Sequence, residues 1–168
     1  DSSQGSLSSC VFVNNSAADG ILYCHNIYHG DNLKIIDNIF LNNDGVAISA
    51  FKDRSDDSVD YNWFGNNETN KHIKPIVKNL KLDYWLFLDA TVSPKMISVY
   101  DPSTITFKLR YCNEYEVHDY DNGRLKAVSL TLTPTNGRTN TPVAYFGKYV
   151  LYYAEGSGIG TITASIED

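Results

Sequence analysis

The sequence has little of several features that define common protein classes. No apolar run approaches the ~20 residues that a membrane-spanning helix needs, so this chain is not expected to insert into a membrane. Lysine and arginine form no cluster, and the formal net charge is −6. A nucleic-acid partner is also not expected, because binding to phosphates draws on a basic surface that releases counterions.

Cysteine is scarce, and its count is odd. Cys10, Cys24 and Cys112 are too sparse for a disulfide scaffold, and none of them belongs to the C-x-x-C pattern of zinc ribbons. The sequence favours three small, buried apolar residues, with a Cys10–Cys24 disulfide as the alternative. Methionine occurs once, whereas tyrosine occurs twelve times. With the many isoleucine and valine residues, this bias predicts an all-β protein.

The first third of the chain repeats itself. "VFVNN" at 11–15 returns as "IFLNN" at 39–43, and each copy precedes small residues and a glycine. "VDYNWFGNN" at 59–67 falls where a third copy is due. A spacing in the twenties between short apolar strands predicts a β-solenoid, in which asparagine suits tight corners and stacks between coils. A set of unrelated β-hairpins is the alternative.

The aromatic motif at the end of this region is predicted to cap the last coil. A solenoid needs a cover at its open end, and Tyr61, Trp63, Phe64 and Gly65 are the candidate residues. Because neighbouring residues of a strand face opposite ways, we expect Trp63 in the coil stack and Phe64 facing outward, at the interface with the connector and the sandwich. Gly65 would allow a sharp exit. The alternative is an exposed aromatic pair that binds sugars.

The rest of the chain is predicted to be a connector and a β-sandwich. Residues 66–84 are polar and lysine-rich, with a short helix as an option over 76–82. Beyond them, alternating strands separated by turns predict an immunoglobulin-like sandwich at 85–168. The strands are predicted at 85–92, 103–111, 128–132, 148–153 and 161–166. The solenoid would fill 1–65.

The order of these parts resembles the adhesin-like surface proteins of methanogenic archaea. The residues that carry the resemblance are "YNWFG" at 61–65, "STITFKL" at 103–109 and "GTITASI" at 160–166. The family often has Trp-Trp-Gly where this chain has Trp63-Phe64-Gly65, and 114–123 resembles an extended hairpin. The resemblance implies a right-handed parallel β-helix followed by an Ig-like domain, displayed at the cell surface. It implies no chemistry at particular residues.

Two groups of residues are candidate metal ligands. Cys10, Cys24, His25 and His29 offer sulfur and imidazole, but the two cysteines lie far apart in sequence for a zinc knuckle. Asp119 and Asp121 begin an acidic loop that lacks the complete ligand set for calcium. Solvent-facing side chains and hairpin turns are the favoured interpretations, so no metal or other cofactor is predicted.

The sequence predicts no enzyme. G-x-S-x-G, H-E-x-x-H and phosphate-loop motifs are all absent. Two or three coils would also form too short a groove for a polysaccharide lyase or hydrolase. Asn14 and Asn67 begin N-x-Ser/Thr sequons, which make them candidate glycan acceptors.

The predicted function is adhesion or extracellular scaffolding by a non-catalytic piece of a longer secreted protein. It would lie at the cell surface or in the cell wall and contact other cells, surface glycans or proteins. The alternative is a carbohydrate-binding module of a secreted polysaccharide-active enzyme.

Overall fold

The protein is all-β, which confirms the predicted class. The structure, a computed structural model, describes residues 4–24, 32–65, 76–125 and 127–166. These residues form the strands β1 to β18, and no α-helix occurs among them. Nor does this part of the chain hold a helix with the length and apolar character to cross a membrane. Contacts divide the chain into a first unit (Asp1–Phe87 and Arg110–Lys126) and a second unit (Leu88–Leu109 and Ala127–Asp168).

The first unit contains mostly short strands. They are β1 (Gln4–Leu7), β2 (Val11–Val13), β3 (Ser16–Ala17), β4 (Leu22–Cys24), β5 (Asn32–Ile35), β6 (Ile39–Leu41), β7 (Asp44–Gly45), β8 (Ile48–Ser58), β9 (Asn62–Trp63), β10 (Val77–Lys81) and β13 (Val117–Asp119). Two longer strands, β11 (Trp85–Ser93) and β12 (Pro102–Cys112), contain residues of both units.

Parallel pairing dominates the first unit. β1 pairs with β5, β2 with β6 and β3 with β7, each in register along its whole length. β6 then pairs with β9, and β8 pairs with β4, β5 and β10. Parallel neighbours need a connection that returns the chain to the same end of the sheet, and the sequence copies at 11–15 and 39–43 meet in this way as the neighbouring strands β2 and β6.

Corners between these strands use residues with left-handed backbone. Asn14 and Asn42 occupy equivalent places in the two Asn-Asn pairs, with φ of 54° and 49°. Asp37 and Tyr61 take φ of 60° and 58° at another pair of corners. Asparagine and aspartate tolerate this conformation because their short polar side chains bond locally, which explains the asparagine-rich composition.

The core of the first unit is a stack of apolar side chains from successive repeats. Its buried members are Ile35, Phe40, Ala47, Ile48, Val59, Phe64, Val77 and Trp85. Phe12, Phe40 and Phe64 stack in series, with ring centroids 4.8 and 5.5 Å apart. The expectation that Phe64 faces outward from the coil stack is therefore wrong, although Phe64 shares this core with Val77 of the predicted connector. Trp63 is buried as well, and its register partner Ile39 is the sequence neighbour of Phe40. Both faces of this segment are thus covered, and neither side chain faces solvent.

The optional helix at 76–82 is also not observed. β10 (Val77–Lys81) is a strand that pairs with β8, and it buries Val77. Local helix propensity is weak compared with the gain from completing a parallel ladder and covering the core.

The second unit contains antiparallel strand pairs. Besides parts of β11 and β12, its strands are β14 (Ser129–Thr135), β15 (Gly137–Thr139), β16 (Val143–Tyr145), β17 (Tyr149–Ala154) and β18 (Thr161–Ser165). The strand pairs β12–β17, β15–β17, β14–β16 and β14–β18 are antiparallel. β14, β17 and β18 correspond to alternating segments predicted from the sequence, whereas β15 and β16 were not predicted.

Alternation along the strands builds the second core. Ile105 and Phe107 of β12, with Leu130 and Leu132 of β14, are buried, while their neighbours in sequence are more exposed. Val150 and Tyr152 of β17, Ala144 of β16, and the half-buried Ile162, Ala164 and Ile166 complete it. Each strand thus contributes one face, as period-two patterning requires.

The contact-based units cut across the predicted segments. Arg110–Lys126 belongs with the first unit, although it lies inside the predicted sandwich segment 85–168. Whether residues 65 and 84 are the ends of separate structural segments stays a prediction.

Candidate functional site: a tyrosine cluster around a buried aspartate

Tyr61 and Tyr84 are the first two members of an aromatic cluster in the first unit. Tyr61 precedes β9 and Tyr84 precedes β11, two strands that pair in parallel. The Tyr61 N–H donates to the Tyr84 carbonyl at 2.9 Å. Their rings stack with centroids 5.7 Å apart and planes 4° apart. Equivalent positions in neighbouring repeats therefore place the two rings face to face.

Tyr111 and His118 extend the cluster. Tyr111 lies near the end of β12 and makes edge-to-face contacts with Tyr61 at 5.1 Å and Tyr84 at 5.5 Å. His118 of β13 stacks on Tyr111, with ring centroids 4.9 Å apart. The same two residues are register partners in the β12–β13 hairpin. Aromatic pairs of these geometries contribute about 0.5–1.5 kcal/mol each beyond their buried area.

Asp37 is the polar centre of the site. Its side chain is almost fully buried, yet it accepts the Tyr120 hydroxyl at Oδ1, 2.8 Å away. The Arg124 guanidinium donates to Oδ2 at 2.6 Å. Arg124 also lies over the rings of Tyr61 and Tyr120, 5.8 and 5.7 Å from their centroids. A buried carboxylate needs such partners, since an unpaired charge in this position would be very costly.

These surroundings keep the tyrosines protonated. Burial raises the pKa of Tyr120 far above its ordinary value, and the hydrogen bond to Asp37 and the charge of that carboxylate raise the pKa further. Burial is also the main cause of the raised pKa of Tyr61, followed by Tyr111 and Asp60. The Tyr120 hydroxyl therefore acts as a donor to Asp37 and not as a general base.

A second carboxylate near the cluster is engaged by backbone. Asp60 Oδ1 accepts the N–H groups of Asp83 and Tyr84 at 2.7 and 2.9 Å. The other oxygen, Oδ2, accepts the Ser58 hydroxyl at 2.6 Å. Asp60 thus bridges one repeat to the next through charge-assisted hydrogen bonds. The carboxylates of Asp37 and Asp60 therefore hold neighbouring parts of the chain in position. The half-buried tyrosine rings of the cluster lie at the surface.

Of the predicted cap residues, Tyr61 is itself a member of this cluster. Trp63 is 4% exposed, and its register partner on β6 is Ile39. Gly65 has a φ of 76°, and a Cβ there would approach the Phe40 carbonyl oxygen at 3.1 Å. Glycine therefore suits position 65 for two reasons: its backbone is left-handed there, and a Cβ would crowd the Phe40 carbonyl oxygen. Whether these residues serve as a cap stays a prediction.

Of the candidate zinc ligands, Cys10 and Cys24 lie within the described residues. All three cysteines are free thiols, and the Cys10 N–H donates to Asn38 while Cys24 pairs with Ala50. His25 and His29 lie outside the described residues. Within the described ranges, no three His, Cys, Asp or Glu side chains are grouped to hold a metal ion.

The acidic loop is explained by hairpin and turn geometry. Asp119 forms an ion pair with Arg110 at 3.2 Å across the β12–β13 hairpin. Asp121 accepts the Gly123 N–H at 3.0 Å and caps the short 3₁₀ turn Asn122–Arg124. Of the two predicted glycan acceptors, Asn14 is exposed and Asn67 lies outside the described residues.

The second unit contains a separate apolar groove of about 690 Å³. Ile105, Phe107 and Tyr152 line it, and Met96 and Ile159 on two loops are 90% and 88% exposed. The Tyr152 hydroxyl donates to the carbonyls of residues 135 and 136 at 2.9 and 3.0 Å.

Sequence reasoning missed the tyrosine cluster, although a signal for it exists. The dipeptide Asp-Tyr occurs at 60–61, 83–84 and 119–120, and all three tyrosines lie in the cluster. The first two copies occupy equivalent places in adjacent repeats. The third comes from the hairpin at 110–126, whose return to the first unit is a long-range contact that no local pattern encodes.

Comparisons with family models, with curated proteins and with solved structures find no match for this chain.

Proposed function

We propose that this chain is a non-catalytic part of an adhesin-like cell-surface protein that acts in adhesion or as an extracellular stalk. In this proposal the first unit is the end of a right-handed parallel β-helix, and the second unit is an Ig-like sandwich. The partners are other cell surfaces, through their glycans or proteins. The proposal rests on the sequence resemblance and on the repeat geometry of the first unit.

The observation that supports it most is the recurrence of the same asparagine contact at sequence separations of 24 and 28 residues. Asn15 and Asn43 stack 28 residues apart, with Asn15 Nδ2 donating to Asn43 Oδ1 at 3.1 Å. Asn38 and Asn62 do the same 24 residues apart, also at 3.1 Å. Because each repeat can form the same asparagine hydrogen bonds with the next, such a structure can be lengthened by adding repeats. An extended, repetitive element suits a stalk that holds a domain away from a cell wall.

The state of the carboxylates supports a non-catalytic role. Asp37 is held by Tyr120 and Arg124, and Asp60 is held by two backbone N–H groups and a hydroxyl. A glycosidase needs one carboxyl group to donate a proton and another to attack or to activate water. Carboxylates whose oxygens are already bonded at structural positions are poorly placed for that chemistry.

Surface display can be tested on intact cells. Antibodies raised against this chain and detected by immunogold electron microscopy should label the outside of cells that produce the protein. Labelling confined to the interior of sectioned cells would contradict the proposal. Beads coated with the purified chain should also adhere to such cells more than beads coated with albumin.

A second candidate function, a carbohydrate-binding module, is favoured by the tyrosine cluster. Half-buried aromatic rings beside an arginine and hydroxyl groups can pack against sugar faces and bond to sugar hydroxyls. Glycan arrays should compare the parent with Tyr111→Ala and with Tyr115→Ala, a control whose side chain is 88% exposed outside the cluster. Binding lost only in Tyr111→Ala would support the module. No binding by the parent would support the stalk.

A further inference from the structure

β18 is bonded to β14 along one edge, and no strand of the described residues lies along the other edge, which we call the free edge. Its five residues pair with β14 from Thr161, opposite Thr135, to Ser165, opposite Thr131. The Leu132 N–H donates instead to the Pro142 carbonyl at 2.8 Å, on the opposite side of β14. Since backbone groups alternate between the two sides of an antiparallel strand, the odd-numbered residues of β14 face β18.

It follows that the even-numbered residues of β18 face away from β14. Ile162 lies opposite Pro134, which has no N–H to exchange, and Ala164 lies opposite Leu132. The N–H and C=O groups of Ile162 and Ala164 therefore point to the free edge. Among the strands that the structure describes, β14 is the one that pairs with β18.

The side chains at this edge face the core without being fully covered. Ile162, Ala164 and Ile166 pack against the second core, yet all three are half-buried. The apolar groove also reaches Thr161 and Ile162. A further strand beside β18 would bond to the free backbone groups and cover this apolar row.

β18 lacks the devices that normally protect an edge strand. Its sequence, Thr-Ile-Thr-Ala-Ser, carries no charge and no proline. The edge strand β15 has only three residues and includes Arg138. Natural proteins shorten or charge exposed edges because an unprotected one pairs with another chain. The free edge of β18 is therefore a built interaction surface for an extended strand.

We propose that this surface binds a second copy of the chain, with β18 antiparallel to the partner's β18 and Ala164 opposite the partner's Ala164. A twofold axis through that position makes the edge complementary to itself, because every outward N–H meets an outward C=O. Ile162 then lies opposite the partner's Ile166, so the two apolar rows become continuous. The small side chain at the centre allows close approach, and the absence of charge avoids like-charge repulsion.

Ala164→Pro tests the pairing selectively. It removes the outward N–H of residue 164 and leaves the hydrogen bonds to β14 in place, since proline is tolerated on the solvent side of an edge strand. Ala164→Ser, which keeps the N–H, is the matched control. In sedimentation velocity from micromolar to submillimolar concentration, the parent and Ala164→Ser should approach twice the mass of one 18.8 kDa chain. Ala164→Pro should stay at the mass of one chain.

Hydrogen exchange gives an independent test on the parent protein. The Ile162 and Ala164 amides should exchange about tenfold more slowly at high than at low concentration, because only pairing protects them. The Thr163 amide, which faces β14, should show no such dependence. A parent that stays monomeric at every concentration would overturn the proposal, and so would a dimer that Ala164→Pro leaves intact.

Discussion

At the scale of single residues, the buried Asp37 carboxylate fixes the positions of the Tyr120 hydroxyl and the Arg124 guanidinium. Tyr120 is 8% exposed, and its hydroxyl donates to a carboxylate that also binds Arg124. Neither interaction follows from the sequence, because the donors lie 83 and 87 residues from the acceptor. The chemistry of the site therefore depends on the hairpin that returns Tyr120 to the first unit.

Tyr120→Phe should destabilise the protein by about 1–3 kcal/mol at neutral pH, because Asp37 loses a buried donor. The raised pKa of Tyr120 means that the folded state holds this proton more tightly than the unfolded chain does. The parent should therefore lose stability as pH rises above the ordinary tyrosine value of 10.0, at up to about 1.4 kcal/mol per pH unit from this group. Urea unfolding of both proteins between pH 7 and 11 measures this. A constant difference across that range would contradict the assignment.

The Cys112 thiol should react slowly in the folded state. Burial raises its pKa, so less of the nucleophilic thiolate is present at pH 8. Pulse labelling with iodoacetamide, followed by mass spectrometry of the Cys112 peptide, should show slower modification than in the urea-unfolded chain. Equal rates in both states would show that the end of β12 opens freely.

At the scale of elements, the asparagine ladder ties successive strands together. Asn62 is fully buried, accepts the Asn38 N–H at 3.0 Å and donates to the carbonyls of Ile35 and Val59 at 2.7 and 2.6 Å. One side chain thus satisfies backbone groups of three segments. Those groups lie at or next to strand ends, where buried backbone groups still need a hydrogen-bond partner.

Asn62→Ala should cost about 3 kcal/mol or more, because it leaves several buried backbone groups without partners at about 1–3 kcal/mol each. Asn15→Ala is the control, since Asn15 is an exposed member of the same kind of ladder. It should cost less than about 1 kcal/mol. Chemical denaturation of both variants gives the comparison, and equal losses would show that the ladder contributes little at either place.

At the scale of the whole molecule, each unit has its own apolar core. Trp63→Ala should remove about 3–5 kcal/mol from the first unit, the usual cost of truncating a buried aromatic residue. Hydrogen exchange with peptide-level readout should show β1 to β9 losing protection while β14 and β17 keep theirs. A variant as stable as the parent that no longer binds a glycan would favour the sugar-binding interpretation of Trp63.

Removing metal should leave the melting temperature unchanged. A structural zinc or calcium ion contributes directly to folding, so EDTA would lower the melting temperature if one were bound. Differential scanning fluorimetry with and without EDTA measures this. A large decrease would restore Cys10, Cys24, His25 and His29, or Asp119 and Asp121, as ligands.

Much of the fold was predictable because its signals are local. The all-β class, the repeat of 11–15 at 39–43 and the alternation of 103–111 all appear as strands at the expected places. The buried positions of Ile105, Phe107 and Leu109 follow from period-two patterning alone. The prediction for Phe64 was wrong because alternation does not say which faces of a strand are covered, and the structure buries both Trp63 and Phe64.

What the sequence determined by itself is strand content, repeat spacing and inward-facing residues, because these depend on neighbours within a few positions. What only the tertiary structure decided is which distant segments meet. The return of 110–126 places Tyr111, Tyr120 and Arg124 around Asp37 and Tyr61, and the β14–β18 register leaves the groups of Ile162 and Ala164 free. Such contacts depend on loop closure and on the packing of whole strands, so no short stretch of sequence specifies them.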